Sequence, residues 1–299
     1  MLHFLYPLSV KISTRLVKWI TAVNKVGILY HPKVKAAHTK ANKLRKFLDS
    51  SGISAWLCSA WEWEKARAQL NNTDLILSVG GDGTMLRAAQ VAAPSAIPLV
   101  GINLGRLGFM TELSADEALE KLPSLLAGKG WIDERVMLEA ELAAAEQEPP
   151  RIFHALNDVV VARGSIARVV YIEADIDGQH LTTYKADGVI VATATGSTGY
   201  SLAAGGPILY PQSKDFLLIP IMPHLSPAYA MVLPPTTVVK LHITSVHQAA
   251  LNIDGHINLP LSDGDIITVK HSPNTIRFLR IRPETSFYSS LEQKLKGKR

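Results

Sequence analysis

The chain has 299 residues, 47% hydrophobic and 19% charged, with a formal net charge of +5, which is ample apolar material for a core and room for two domains. This composition excludes collagen-like, disordered and disulfide-scaffold classes, and Cys58 as the sole cysteine excludes an intrachain disulfide and a cysteine-built zinc site, as fits a reducing cytoplasm. The basic excess lies at the ends: residues 1–23 carry +3, residues 292–299 another +3, and the body −1, so no nucleic-acid partner is expected.

Residues 1–23 read as a basic N-terminal extension. Ile12, Leu16, Ile20 and Val23 share one helical face and Lys11, Arg15 and Lys18 another, a pattern that a surface helix and a frayed upstream segment both satisfy. No uninterrupted apolar run of about 18 residues occurs, so neither a membrane span nor a membrane partner is expected. From Lys25 the texture changes. Val26–Leu29, Ala55–Cys58, Asp74–Val79 and Pro98–Ile102 are short strand-like runs. Between them, Val34–Asp49, Glu62–Leu70 and Thr84–Ala92 have helical spacing, and Ser114–Glu117 is a capping box that opens a helix to about Ala127. Strands alternating with helices indicate a parallel sheet.

Beyond Trp131 helices almost vanish. Arg135–Leu142, Phe153–Ala162, Val169–Asp175, Val189–Thr193, Val238–Thr244, Ala250–Ile253 and Ile266–Lys270 read as strands. Asp177-Gly178, Asp254-Gly255 and Asp263-Gly264 punctuate them as hairpin turns. The expected architecture is an N-terminal Rossmann-like α/β domain over 24–130, then a mostly β-sheet, sandwich-like domain over 131–277, with a C-terminal tail at 278–299.

Gly80-Gly81-Asp82-Gly83-Thr84 lies between a buried strand and a helix, where ligands of open α/β sheets bind and a helix N-terminus favours phosphate. The glycines let backbone approach a ligand closely. An acid among them would repel phosphate, so Asp82 suits a sugar hydroxyl whose proton it could accept. A tight Asp-Gly turn would explain the same residues, but the strand before and helix after favour a site. Neither G-x-x-x-x-G-K-[ST] nor an early G-x-G-x-x-G occurs, which excludes a P-loop enzyme and argues against an ordinary dinucleotide fold. Gly101, Gly105 and Gly108 in GINLGRLGF are expected to line the crevice of Asp82.

The run Thr193–Pro207, TATGSTGYSLAAGGP, follows a strand and sets hydroxyls, Thr195 and Thr198 among them, and one aromatic, Tyr200, among small residues. Hydroxyls and exposed amides can bind base edges and phosphates, and Tyr200 offers a stacking face. Asn157-Asp158 interrupts an apolar strand, where a buried polar pair requires partners. Lys185-Ala186-Asp187-Gly188 and Asp254-Gly255 are each satisfied by turn chemistry alone. Trp61 and Trp63 read as packing residues, and His224 as structural or exposed.

Taken in order and spacing, GGDGT, NLGRLGF, Asn157-Asp158, ADGVIVATATGSTGYSLAAGGPI and a late Asp-Gly resemble the NAD kinase family, from about Val26 to Lys294. Diacylglycerol and sphingosine kinases share GGDGT, but the TGSTGYSLAAGGP stretch is far more specific. The resemblance implies transfer of the terminal phosphoryl group of ATP, or for some members polyphosphate, to the 2′-hydroxyl of the adenosine ribose of NAD, forming NADP. It implies that Asp82 is the catalytic activator of that hydroxyl, with Gly80, Gly81, Gly83 and Thr84 around the phosphates. Asn157 and Asp158 would hold the adenosine, and Lys185 and Asp187 would lie near NAD. Thr198 and Tyr200 would contact adenine with Thr195 in the same loop, and Gly199 and Ala203 would flank them. It further implies Mg2+ or another divalent metal, and homodimers or homotetramers whose β domains complete each other's sites.

The chain departs from the family pattern in three places. Ala194 replaces a proline, Tyr229 and Ala230 stand where Arg-Pro is usual, and no aromatic follows Lys294-Leu295. A lipid or sugar kinase on the same GGDGT fold would need neither the Thr193–Pro207 loop nor Asn157-Asp158. A non-catalytic NAD-binding regulator would bind NAD without forming NADP.

Overall fold

The computed structural model describes residues 23–105, 108–144, 149–164, 168–225, 228–244 and 248–296. The helical pattern expected ahead of Val23 lies outside these residues. The first half runs β1 (Lys25–Tyr30), α1 (Lys35–Ser50), β2 (Ser54–Ser59), α2 (Trp63–Arg67), β3 (Leu75–Gly80), α3 (Asp82–Ala92), β4 (Leu99–Asn103), β5 (Leu113–Ser114) and α4 (Ala118–Leu126). Strands β2, β1, β3 and β4 are parallel neighbours, with Val26 beside Leu75 and Leu77 beside Val100. All of β3 is buried because helices cover both faces, which is why it reads as a continuous apolar run rather than an alternation. On one face Ala37, Ala41, Leu44 and Leu48 of α1 and Leu122 of α4 meet Ile28, Leu75 and Leu77. On the other, Met85, Ala88 and Ala89 of α3 meet Leu29, Ile76 and Leu99. The capping box forms as expected: the Ser114 N–H donates to the Glu117 carboxylate at 3.0 Å, and the Glu117 N–H to the Ser114 hydroxyl at 3.2 Å.

The second half holds β6 (Trp131–Ala143), β7 (Arg151–Ala155), β8 (Asp158–Arg163), β9 (Val170–Ile176), β10 (Gln179–Ala186), β11 (Gly188–Thr193) and the one-turn α5 (Tyr200–Ala203). It continues with β12 (Phe216–Ile221), β13 (Met231–Leu233), β14 (Val239–Ile243), β15 (Ala249–Ile253), β16 (Ile257–Leu261), β17 (Ile266–Arg280) and α6 (Ser286–Lys296). The antiparallel sheet β13-β12-β11-β8-β15-β16 faces β10-β9-β14-β17-β6-β7. Inward side chains such as Val159, Val161, Ile172, Leu218, Leu241 and Val269 interdigitate between the two. Asp177-Gly178 and Asp254-Gly255 make the expected hairpins, with φ of 51° and 78° in one and 51° and 69° in the other, the primed geometry that matches strand twist.

Strands β10, β12, β13 and β16 have no counterpart in the sequence reading, and two expected strands differ in extent. The strand expected over Phe153–Ala162 is broken between Ala155 and Asp158, where the backbone turns to a side chain for its hydrogen bonds. Strand β17 does not stop at Lys270. It pairs with β6 from Ile266–Ala143 to Arg280–Trp131, with β14 at its start, and at Phe278 with Leu99 of β4. The irregularity between His271 and Thr275, which contains Pro273, hides this continuity in the sequence. Residues 278–296 thus finish a strand and form α6. No helix among the described residues is long and apolar enough to cross a membrane.

Gly27 on β1 faces Trp56, and an added Cβ would fall 2.2 Å from the indole Cζ2. The ring is held by its N–H bond to the Thr73 hydroxyl at 3.0 Å. Gly27→Ala is therefore expected to cost about 1–3 kcal/mol through overpacking, read as a lower urea midpoint at constant slope. An unchanged midpoint would mean that the indole swings aside.

Candidate active site

At the carboxyl end of β3 the chain turns through Gly80 and Gly81 into α3, and Asp82 is the first helical residue. A Cβ on Gly80 would lie 2.2 Å from the Thr84 hydroxyl, so this sharp entry requires glycine. The Asp82 carboxylate accepts the Phe109 N–H at 2.9 Å and the Met110 N–H at 3.2 Å. The loop closes this tightly because residue 108 is glycine: a Cβ there would lie 2.2 Å from an Asp82 oxygen. Asp82 is thereby fixed at a helix N-terminus, where the dipole and free amides favour negative charge.

Asp82 lines a cleft of about 850 Å³ between the two halves. Its floor is a buried charge network on β6 and β17. The Arg135 Nε donates to one Asp133 oxygen at 2.7 Å, and Arg280 Nε to the other at 3.1 Å. Arg280 also donates to the Met110 carbonyl at 2.8 Å and to Glu112 at 3.3 Å. Glu112 in turn accepts the N–H groups of Ile281 and Arg282 at 2.9 and 2.7 Å. Burial pushes the Asp133 carboxyl up, but the two guanidiniums outweigh it and hold Asp133 below the usual carboxylate range.

The break between β7 and β8 is organised by a side chain from the opposite hairpin. The Asp254 carboxylate accepts the N–H groups of Leu156, Asn157 and Asp158 at 2.9, 2.7 and 3.2 Å, and the Gln90 amide of α3 at 3.1 Å. Burial pushes the Asp254 carboxyl up while these amides pull it back. Asp158, also buried, has no such compensation: burial and the Asp254 charge push it up to about 7. Burial thus raises both carboxyls, with three amides offsetting it at Asp254 and the Asp254 charge adding to it at Asp158. The Asn157 side-chain oxygen is buried with no hydrogen-bond partner among the described residues, an acceptor suited to a ligand donor.

The Thr193–Tyr200 loop clasps this segment. The Thr193 N–H donates to the Asn157 carbonyl at 2.9 Å, and a Cβ on Gly196 would lie 2.1 Å from that oxygen. Arg135 reaches the Thr195 hydroxyl at 3.2 Å, and Thr195 and Thr198 line a small extension of the cleft with Arg135 and Phe109. The structure thus sets Asp82 and Gly108 in the cleft and Thr195 and Thr198 in a small neighbouring pocket that shares Arg135 and Phe109 with it, with Asn157 and Asp158 packed behind the loop. Tyr200 and Ala203 are exposed on α5, outside the cleft walls. Lys185 and Asp187 precede β11, whose six residues separate them from Thr193 by about 20 Å. There Asp187 pairs with Arg163 at 3.2 Å.

Sequence reasoning treated Asp254 as a hairpin residue, and it is also the acceptor that shapes the Asn157 segment. It overlooked Asp133, Arg135, Arg280 and Lys294, all of which line the cleft. A signal existed for the first two: charged residues two apart on a strand share one face. Trp63 is not a core residue but half-exposed, with Arg67 stacked 4.8 Å from its ring.

For an acid raised in the folded state, the native protein binds more protons than the unfolded chain between the two pKa values. Stability from Asp158 should therefore fall as pH rises from about 4 towards 7. Urea unfolding at about pH 5 and about pH 8 should show wild type losing stability relative to Asp158→Asn. Parallel profiles would place the proton elsewhere.

Comparison with known proteins follows the same lines. A family model described as the ATP-NAD kinase N-terminal domain matches residues 5–130, and one described as the ATP-NAD kinase C-terminal domain matches 156–281. The chain is 52% identical over 273 residues to an NAD kinase of Dehalococcoides mccartyi, covering 91% of this chain and 96% of that protein. It is 39% identical over 274 residues to an NAD kinase of Chloroflexus aurantiacus, covering 92% and 99%. Among solved structures, yeast NADH kinase complexed with NADH shares the fold, with a TM-score of 0.83, 24% identity and coverage of 94% and 89%. An NAD kinase from Archaeoglobus fulgidus in complex with ATP gives 0.73 and 26%, with coverage of 91% and 98%.

Proposed function

This chain belongs to the NAD kinase family, and on that premise we propose which of its residues carry out the phosphorylation of NAD to NADP. Asp82 orients the 2′-hydroxyl of the adenosine ribose. A ribose hydroxyl is a very weak acid, so Asp82 takes its proton only as the bond to phosphorus forms. The observation that carries this role is its carboxylate, locked by two loop amides at a helix N-terminus and facing the cleft. Phosphoryl transfer depends on positioning and charge neutralisation more than on covalent chemistry, and the amides that follow Gly81 supply part of both. The Asn157 oxygen, without a partner among the described residues, supports a place for the adenosine, as do the Thr195 and Thr198 hydroxyls of the loop that clasps its segment. ATP as donor is supported by the relative from Archaeoglobus fulgidus, whose structure contains it.

The residues fit a divalent metal carried in by the nucleotide. Four carboxylates line the cleft, Asp82, Glu112, Asp133 and Glu284; Glu112 and Asp133 are committed to arginine, whereas Asp82 accepts two amides and keeps lone pairs free. One carboxylate with phosphate oxygens and water is a donor set that Mg2+ accepts. When bound, such an ion would offset charge on the transferred phosphoryl group.

Lys185 and Asp187 lie about 20 Å from Thr193, at the other end of β11. Beside them the exposed apolar side chains of Met222, Leu225, Tyr229 and Val232 crowd one segment, tied to Lys185 by the His224 N–H bond to its carbonyl at 2.7 Å. This supports a homodimer or homotetramer in which a second copy covers that face and its Lys185 and Asp187 reach the NAD site. The buried, unbridged Cys58 supports a reducing, cytoplasmic setting.

Purified protein with Mg2+, NAD and either ATP or polyphosphate should yield NADP, read with an NADP-specific dehydrogenase. NAD binding without NADP from either donor would favour a regulator instead. Asp82→Asn should lower kcat by about 10²–10⁴-fold while NAD still binds. Near-normal turnover in that variant would mean that Asp82 does not accept the hydroxyl proton.

A further inference from the structure

We propose that Lys294, which α6 carries into the cleft, binds the phosphate chain of the nucleotide donor beside Asp82. The inference rests on the kinase reading above and adds a residue to it. Four cationic side chains line the cleft: Arg135, Arg280, Arg282 and Lys294. Three are already engaged. Arg135 and Arg280 share Asp133, and Arg280 also holds Glu112. Arg282 grips Glu117 at 3.1 Å and the Glu112 carbonyl at 3.1 Å. The Lys294 ammonium has no hydrogen-bond or ion-pair partner among the described residues, and lies 5.6 Å from the centre of the Phe109 ring.

That ring ties Lys294 to the reacting end of the cleft, because the Phe109 N–H is one of the two that hold Asp82. The helix is anchored well enough to place the ammonium. Phe287 and Tyr288 pack on Tyr210 with ring centres 5.9 and 5.8 Å apart, and the Arg282–Glu117 pair fixes the approach to α6. Phe287, Ser290 and Lys294 follow at helical spacing and together form one wall.

The electrostatics call for an anion. Burial is the largest influence on Lys294 and, with repulsion from Arg280, pulls its pKa below that of a free lysine, while Asp82 and Glu112 pull the other way. A partly buried ammonium lacking a contacting counterion is costly. A polyphosphate chain supplies several negative oxygens, and a lysine binds such a chain as a point charge. Lys294 lines the main cleft but not its extension at Thr195 and Thr198, which assigns it to the donor rather than to the adenosine of NAD.

Steady-state kinetics with ATP and NAD varied separately, on wild type and Lys294→Ala and Lys294→Arg variants of equal melting temperature, test this. Lys294→Ala should lose about 10–100-fold in kcat/KM for ATP, with the KM for NAD unchanged and activity largely restored in Lys294→Arg. An unaltered kcat/KM for ATP overturns the proposal, and so does a loss confined to the NAD constant. Calorimetry with ATP separates this inference from the kinase reading. If wild type forms no NADP, the kinase reading fails, and equal ATP affinity of wild type and Lys294→Ala would also overturn the lysine's role. If wild type is active, Asp82→Asn is inactive and Lys294→Ala is normal, only the lysine's role falls.

Discussion

Two arginines buried side by side are tolerated only if carboxylates neutralise them and accept their hydrogen bonds. Arg135 and Arg280 meet that condition through Asp133 and Glu112, and in doing so draw together chain segments that are distant in sequence. Arg280 holds the Met110 carbonyl and so sets the loop whose amides grip Asp82. Arg135 holds the Thr195 hydroxyl and so sets the loop on the other side. Gln212 closes the ring by donating to Asp133 at 3.0 Å. The cleft is thus assembled around its own floor, and the loops that would touch a nucleotide take their positions from charges beneath them.

A second, smaller hub acts on the far side of the Thr193–Tyr200 loop. Asp254 substitutes for a missing strand partner by accepting three consecutive N–H groups. Gln90 links the hub to α3 and so to the helix that starts at Asp82. Burial raises both carboxyls, but the amides around Asp254 oppose it, whereas at Asp158 a negative neighbour adds to it.

What could be read in the sequence was local. The glycines around Asp82, the Ser114–Glu117 box and the hairpins at Asp177-Gly178 and Asp254-Gly255 carry their geometry in adjacent residues and formed as expected, whereas Asp263-Gly264 joins β16 and β17 of different sheets and makes no hairpin. The parallel strands were legible because burial on both faces leaves unbroken apolar runs. Contacts between remote segments were not. Asp254 looks like any turn residue until its carboxylate is seen against residues 156–158, and nothing near Arg280 in sequence marks its link to Asp133, 147 residues away. The Ser-Pro-Asn interruption after His271 disguised one long strand as a short one, and the basic composition beyond it made α6 look like a tail. Lys185 and Asp187, read from motif alone, lie at the end of β11 away from Thr193, which a motif cannot reveal.

The long pairing of β6 with β17, irregular only at His271–Thr275, bears on how the molecule can move. The ladder runs from Ala143 opposite Ile266 to Trp131 opposite Arg280, and at Phe278 its strand β17 also pairs with Leu99 of β4 in the first half. Swinging the halves apart as rigid bodies would break that β17–β4 pairing and expose the arginine floor. The cleft at Asp82 is therefore framed by a strand common to both halves, and its width is set by that strand rather than by a hinge between them.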